Sequence, residues 1–413
     1  MKSMEDKDLS SHAPRFLGRL FVGALIAISL CARAALAHHN AGNVVVFGGT
    51  LSLSGRYAEP AGRYFNVFKL YVEQLNERGG LLDHKVELRI LDDKSERHTA
   101  IELYQKLITV DKVDLVLGPY SSAITDPVAN VMERYRKPFL APGAVSKAIW
   151  QRGRQYIFSP PIVIAQNYQK GALEIAKEIG VKRIAVIGEG SLFPMHTTEG
   201  TLEWAKKLDL EVVLLQSYHK DEKDFTALLK QIAVSGAEAI FSNSYFADSV
   251  AQLRQMRRLK INTKIFSGTV GPALPRFIEE LGSTAEFVLG FSMWEPAPAL
   301  GHPNMNEFIA NYEKRYEVKP NYHAARGYAS MQILEAAVKN AASFEPEKVR
   351  DALASVTVET VMGRWKADAQ GMSTVEGLTF QIQNGKRVIV WPKHIAEARY
   401  ILPMPRWEER SGK

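Results

Sequence analysis

DLVLGPYSSAITDPV, residues 114–128, sets an apolar run at 115–117 against a Gly118-Pro119 stop, then two adjacent hydroxyls, Ser121 and Ser122, and a segment with helical spacing. A short β-rich run that gives way to a helix at a Gly-Pro turn is half of a βαβ unit. The two serines stand where a helix N-cap belongs, and Asp126-Pro127 offers a second N-cap and N1 pair. They also stand where free N–H groups at a helix start, with a hydroxyl beside them, bind a carboxylate or another acceptor. Neither serine has the neighbouring base or the G-x-S-x-G turn that a nucleophile requires.

The same alternation extends in both directions. NVVVFGG, KVELRILDD, VDLVLG and KPFLAP are strand candidates, separated by amphipathic stretches at 61–78, 97–110 and 122–136. Gly79-Gly80 supplies a helix stop. A Pro-rich joint, YIFSPPIV (156–163), interrupts the pattern, which then restarts with helices at 167–179, 197–208, 225–235 and 248–259 between the strands RIAVIG, EVVLLQ, AIFSNS and KIFSG. A second joint, FSMWEPAPALGHP (291–303), precedes helices at 304–316, 323–342 and 346–354 and a β-rich tail, in which Asn384-Gly385 between alternating residues is a two-residue hairpin signal. The pattern predicts an α/β fold of two Rossmann-like lobes with parallel-rich sheets. A chain that crosses between lobes several times makes a hinge with a cleft.

The chain has 413 residues and a net charge of +7. Arg15 and Arg19 precede an apolar stretch ending in Ala35-Leu36-Ala37, too short to span a bilayer and followed by a small-x-small site. This is the pattern of a signal peptide, residues 1–37, cleaved after Ala37, and it places the product outside the cytoplasm; the periplasmic address follows only from the resemblance given below. Residues 1–37 carry five basic and three acidic side chains, so cleavage leaves +5. The single cysteine, Cys31, falls inside the removed segment; lipidation there competes with cleavage, but Leu30 stands where a small residue is expected. The basic run LRQMRRLK (253–260) reads as a solvated helix face, and nothing interleaves it with aromatics as a nucleic-acid surface would require.

In an open α/β sheet, ligands sit beyond the carboxyl ends of the strands. The loops there, at 49–61, 92–95, 118–122, 142–146, 188–195, 243–247 and 268–271, are rich in Gly, Ser and aromatics and poor in catalytic groups. Tyr57, Phe193 and Tyr245 fall in three of them, as aromatic walls of a small-molecule cleft would; Thr269 falls in another, and Arg56 faces either a ligand carboxylate or solvent. RIAVIGEGSLF has Phe193 where a dinucleotide fingerprint needs its third glycine. Asp92-Asp93 suits a turn better than a metal, and the histidines form no ligand cluster. No cofactor, no metal and no catalytic residue are expected.

GGTLSLSGRYAEPAG, LNERGGLLDHKVELRILDDKS, LGPYSSAITDPVANVMERYRKPFLAPGAVS and ETVMGRWKADAQG together resemble the periplasmic solute-binding proteins of the branched-chain amino-acid transport type, over residues 43–392. The resemblance implies a type I periplasmic binding fold with a three-crossover hinge: an N-terminal lobe of 43–158 plus 293–378, a C-terminal lobe of 159–291 plus 379–400, and a tail of 401–413. It implies a monomer that closes on a small amino-acid-like, amide or carboxylate ligand and delivers it to an ABC permease, or, as the alternative, signals to a membrane sensor. By this resemblance the ligand's polar head meets Ser122, with Ser121 beside it, and the donors of the next loop, Ala144 to Ser146; Phe193 and Tyr245 close from the second lobe, and the first loop contributes from 56–60. Two positions depart from the family pattern. Val145 replaces a threonine, and Val270 replaces the acid that receives a ligand ammonium. Either Glu59, Glu189 or Glu295 supplies that charge, or the ligand has no amino group.

Overall fold

A computed structural model describes residues 44–410; the signal segment, Cys31 and His38-His39 lie outside the described residues. The first sheet has five strands in the order β2-β1-β3-β4-β5: β1 (Val44–Leu51), β2 (Lys85–Asp92), β3 (Leu115–Leu117), β4 (Phe139–Leu140) and β5 (Ile157–Phe158). β1 with β3, β3 with β4 and β4 with β5 all run parallel, and α1 (Ala58–Glu77), α2 (Arg97–Thr109) and α3 (Ser122–Tyr135) make the connections. In α1 the buried Ala61, Tyr64, Phe68, Tyr71, Val72 and Leu75 recur at three- and four-residue spacing, forming one apolar stripe. The helix ends at the glycine pair, where Gly79 and Gly80 take φ of 98° and 84°, a left-handed conformation open to glycine at little cost.

A short β6 (Pro161–Ile162) leads out of the 156–163 joint, and the second sheet follows, in the order β16-β15-β11-β10-β9-β7-β8. Its parallel part comprises β7 (Arg183–Glu189), β8 (Glu211–Tyr218), β9 (Ala239–Asn243), β10 (Ile265–Gly268) and β11 (Leu289–Ser292), connected by α4 (Lys170–Glu178) before β7 and then α5 (Leu192–Lys207), α6 (Thr226–Val234), α7 (Phe246–Arg258) and α8 (Pro275–Leu281). The chain then returns to the first lobe through α9 (Met305–Tyr316), α10 (Tyr322–Ala341) and α11 (Pro346–Ser355), with α10 packed along α1. Gly327 permits that approach, since a Cβ there would come within 2.8 Å of Val67 and 3.0 Å of Tyr64. After a small hairpin, β12 (Val358–Thr360) and β13 (Gly363–Trp365), β14 (Ser373–Thr374) pairs with β6. A third passage delivers β15 (Leu378–Gln383) and β16 (Lys386–Trp391) to the second sheet, antiparallel. Their turn is the Asn384-Gly385 pair, both at positive φ (52° and 70°), as a type I′ hairpin demands.

Several elements differ from the sequence reading. α3 starts at Ser122, so Asp126-Pro127 lies inside the helix and does not begin it. α5 starts at Leu192 and α7 at Phe246, earlier than the periodicity indicated; Pro194 fits the first turn of α5, where the N–H it lacks has no intrahelical acceptor. α8, with Pro275 at its first position, was not anticipated. For α5 and α7 the physical reason is shared. These helices begin almost at the strand ends, so residues that look like loop in the sequence form their first turns. At the carboxyl end, residues beyond 400 pack on the second lobe: Met404 N–H donates to Lys264 O (2.9 Å) and Trp407 Nε1 to Ile261 O (2.7 Å).

Candidate ligand-binding site

The carboxyl ends of the parallel strands in both sheets point towards one cleft, and four helices begin there. Ser121 and Ser122 at the start of α3, Phe193 at the start of α5, Tyr245 just before α7, and Tyr322 and His323 at the start of α10 all line one cavity. Helix N-termini carry partial positive charge and free N–H groups, so this convergence favours an anion. The cavity is small, ≈ 10 Å³, about the room of one water. A larger ligand enters only if the lobes part or the rings around it swing aside.

The first loop is fixed by the two aspartates at the end of β2. Asp92 accepts the Leu53 and Ser54 N–H groups (2.9 and 3.1 Å), and Asp93 accepts the Thr50 and Ser52 hydroxyls (2.8 and 2.6 Å). The pair therefore does turn duty, as its sequence suggested. Beyond the loop, the Ser95 hydroxyl accepts the Tyr57 N–H (3.1 Å), which sets Tyr57 facing the second lobe. Its ring lies 4.8 Å from that of Tyr245 and 5.7 Å from that of Tyr120, centroid to centroid, and Tyr245 lies 5.6 Å from Phe193. The aromatic wall thus spans both lobes. Burial raises the Tyr245 phenol well above its ordinary range, so it stays protonated and able to donate.

The charged groups fall into two sets. Arg326 is buried at the fifth position of α10, held by Nη2 donating to Ala144 O (3.0 Å); its Nε has no hydrogen-bond partner, and no carboxylate among the described residues is within ion-pair distance of it. The side chain lines the cavity. His323 beside it adds no second charge, because burial, then Arg326, hold its pKa well below the ordinary value. Arg56 is the opposite case. It reaches from the first loop to the second lobe, where Nη1 lies 3.5 Å from Glu189 and Nη2 3.6 Å from Asp248. Its guanidinium packs 5.3 Å from the Tyr57 ring centroid and 5.4 Å from that of Tyr245.

Buried polar atoms normally have partners. Around this cavity several have none: Ser121 Oγ, Ser146 Oγ, Tyr245 Oη and Arg326 Nε. The Ser121 hydroxyl lies beside the Tyr57 and Tyr245 phenols without a hydrogen bond of good geometry to either. The chemistry on offer is a fixed cation with hydroxyl donors in an aromatic enclosure.

Residues 44–386 match the family model described as "Periplasmic binding protein". The chain belongs to the periplasmic binding protein family. This periplasmic binding protein is similar to an "Amino acid binding protein" of Pseudomonas aeruginosa, 26% identical over 361 residues that cover 86% of this chain and 93% of the relative. It is similar in the same degree, 26% over 424 residues, to "Leu/Ile/Val-binding protein homolog 8" of Brucella abortus, with 93% of this chain and 98% of the relative covered. Among solved structures, the branched-chain amino acid transporter substrate binding protein of Streptococcus pneumoniae in complex with isoleucine superimposes with a TM-score of 0.77 at 20% identity, covering 87% of this chain and 100% of that one. A solute binding protein of R. palustris in complex with benzoate superimposes with a TM-score of 0.74 at 18% identity, covering 84% and 96%. At these identities the structures establish the fold, a type I periplasmic binding fold of parallel-rich lobes.

Of the residues singled out by sequence, the structure brings Ser121, Ser122, Phe193 and Tyr245 to the cavity of this periplasmic binding protein and sets Tyr57 against them. Ala144 contributes its carbonyl, which holds Arg326. Three expectations need correction. Ser122 does not cap α3: its Oγ accepts the Val145 and Ser146 N–H groups (3.1 and 3.3 Å) and ties two cleft loops together, while Ser121, at the N-cap position, makes no side-chain cap. Thr269 turns away to exchange hydrogen bonds with the Ser244 backbone (3.0 and 2.7 Å). Arg56 does not line the cavity: it is partly exposed at a separate surface pocket and pairs with the acids opposite. Sequence reasoning missed Arg326, His323, Tyr120, Tyr168 and Tyr322, all lining the cavity. The available signal was the arginine in HAARGYAS (323–330), a lone charge among small residues where a helix packs closely.

Proposed function

We propose that this protein is the extracytoplasmic substrate-binding component of an ABC importer and that its ligand is a small carboxylate held in the interlobe cleft. The observation that carries the ligand class is Arg326, a buried guanidinium that opens on the cavity without an acidic partner. A guanidinium cannot shed its charge, and an uncompensated buried charge is strongly unfavourable. A carboxylate bound there would supply the missing anion, with Ser121 and Tyr245 as further donors and four helix starts adding favourable potential. Export by cleavage after Ala37 and a hinge through the three interlobe passages belong to the same reading. A ligand that touches both lobes favours the closed form by the contacts it makes only there, and the permease reads that form. The relatives named as amino acid binding proteins, and the benzoate and isoleucine complexes of the structural neighbours, support a small ligand with a carboxylate.

The test is a thermal-shift screen of the exported chain, unfolded and refolded to remove carried-over ligand, against aliphatic and aromatic carboxylates, α-amino acids, amides and ureas. A carboxylate at a hundred times its Kd adds about 2.7 kcal/mol of stability, and Arg326→Gln removes the shift. Equal stabilisation of both proteins by a neutral amide or urea would refute the carboxylate reading.

A further inference from the structure

The acids that sequence offered as ammonium acceptors are all engaged by the chain's own arginines. Glu59 pairs with Arg63 (2.6 Å) and Arg276 (3.8 Å), Glu295 with Arg387 (3.2 Å), and Glu189 with Arg56 (3.5 Å). Position 270, where a family acid would stand, is a valine that lines the cavity. Of these acids only Glu189, joined by Asp248, lies close to the ligand cavity. Both are buried and neither lines the cavity, and Arg56, which pairs with them, packs on the Tyr57–Tyr245 ring pair. Among the described residues, Arg56 is the one cation that comes from the opposite lobe to meet them.

We infer that Arg56 is a specificity-determining residue: it gives Glu189 and Asp248 the cation that an amino-acid ligand would otherwise bring, and so restricts the cleft to carboxylates without an amino group. The inference rests on the reading of Arg326 as the carboxylate anchor. With the carboxylate on Arg326, an α-ammonium would lie beside the aromatic wall, find no free acid, and be repelled by Arg56 across a medium of low dielectric. The pairing is also replaceable. At 3.5 and 3.6 Å the contacts are longer than a close charge-assisted hydrogen bond, so removing the guanidinium leaves two buried acids seeking a cation.

The experiment is calorimetric titration of wild type, Arg56→Met and Arg56→Gln with two ligand pairs that differ only by the amino group: 3-phenylpropanoate against phenylalanine, and 4-methylpentanoate against leucine. Wild type should prefer the deaminated member of a pair by at least about 100-fold, and both variants should reduce that preference at least tenfold by gaining affinity for the amino acid. Arg56→Gln keeps hydrogen-bond donors towards both acids, so a folding defect confined to Arg56→Met leaves the comparison intact. An unchanged preference in a folded variant overturns the role of Arg56 while leaving Arg326 as anchor. Wild type binding the amino acid as well as its deaminated partner overturns it too. Wild type that binds no member of either pair, but binds a neutral amide, overturns the Arg326 reading and this inference with it.

Discussion

Arg326 and Arg56 both bring a guanidinium from the first lobe to the cleft, and they differ in what surrounds it. Arg326 is packed into the start of a long helix, held by one carbonyl, with no carboxylate among the described residues within ion-pair distance. Arg56 sits on a loop, between two tyrosine rings, facing two acids of the other lobe. Burial raises the cost of a charge in both places, but in one it is met from within the chain. The lesson is that position relative to a cavity does not identify a ligand anchor. The unmet electrostatic demand does.

The sharpest way to break the comparison is to remove each charge and read two quantities. Arg326→Gln should cost carboxylate binding about 2–5 kcal/mol, measured by calorimetry, because it removes one partner of a buried charge pair. In the absence of ligand the sign reverses: Arg326→Met should raise stability by about 1–3 kcal/mol in urea melts, since it deletes an uncompensated buried cation. Arg56→Met should lower stability by about 1–3 kcal/mol at pH 8, above the Asp248 value of about 7, because two buried acids lose their cation. Changes of the same sign in the two methionine variants would abolish the distinction. Ser122→Ala should cost about 1–2 kcal/mol of stability by leaving the Val145 and Ser146 N–H groups without their acceptor; a melt unchanged within error would show that those loops hold without it.

A pH slope marks the acid end of the Arg56 cluster. Burial pushes the Asp248 carboxyl up to about 7, above its ordinary value of about 3.9. Between those values the folded chain keeps a proton that the unfolded chain has released, so this group's contribution is fullest in acid and declines as pH rises towards 7. Wild-type stability should therefore fall relative to Asp248→Asn between pH 5 and 7, by at most about 1.4 kcal/mol per unit, and run parallel to it above pH 8. Parallel curves throughout would mean that Arg56 already compensates Asp248 fully.

Much of the architecture was legible because its signals are local. Alternating strands and helices, the Gly79-Gly80 stop, the two Pro-rich joints and the Asn384-Gly385 hairpin each depend on residues adjacent in sequence, where periodicity and φ preference act directly. The starts of α5 and α7 were missed for the converse reason: strand ends feed helices without an intervening loop, and no local residue marks the change. The cleft was legible only in part. Ser121, Ser122, Phe193 and Tyr245 follow strands, and the rule that ligands gather at strand ends finds them. Arg326 follows no strand and lies 204 positions beyond Ser122 in the chain.

What the amino-acid order determined by itself is the class of fold and the places where the chain turns, because steric and hydrophobic periodicities operate over a few residues. What only the tertiary structure decided is which charges are answered. Glu189, Asp248 and Arg56 are three unremarkable ionisable residues in the sequence, and Arg326 is a fourth. Folding brings Arg56 within ion-pair reach of Glu189 and Asp248 and leaves Arg326 beside a cavity. Coulomb energy depends on distance and desolvation, and both are properties of the folded chain.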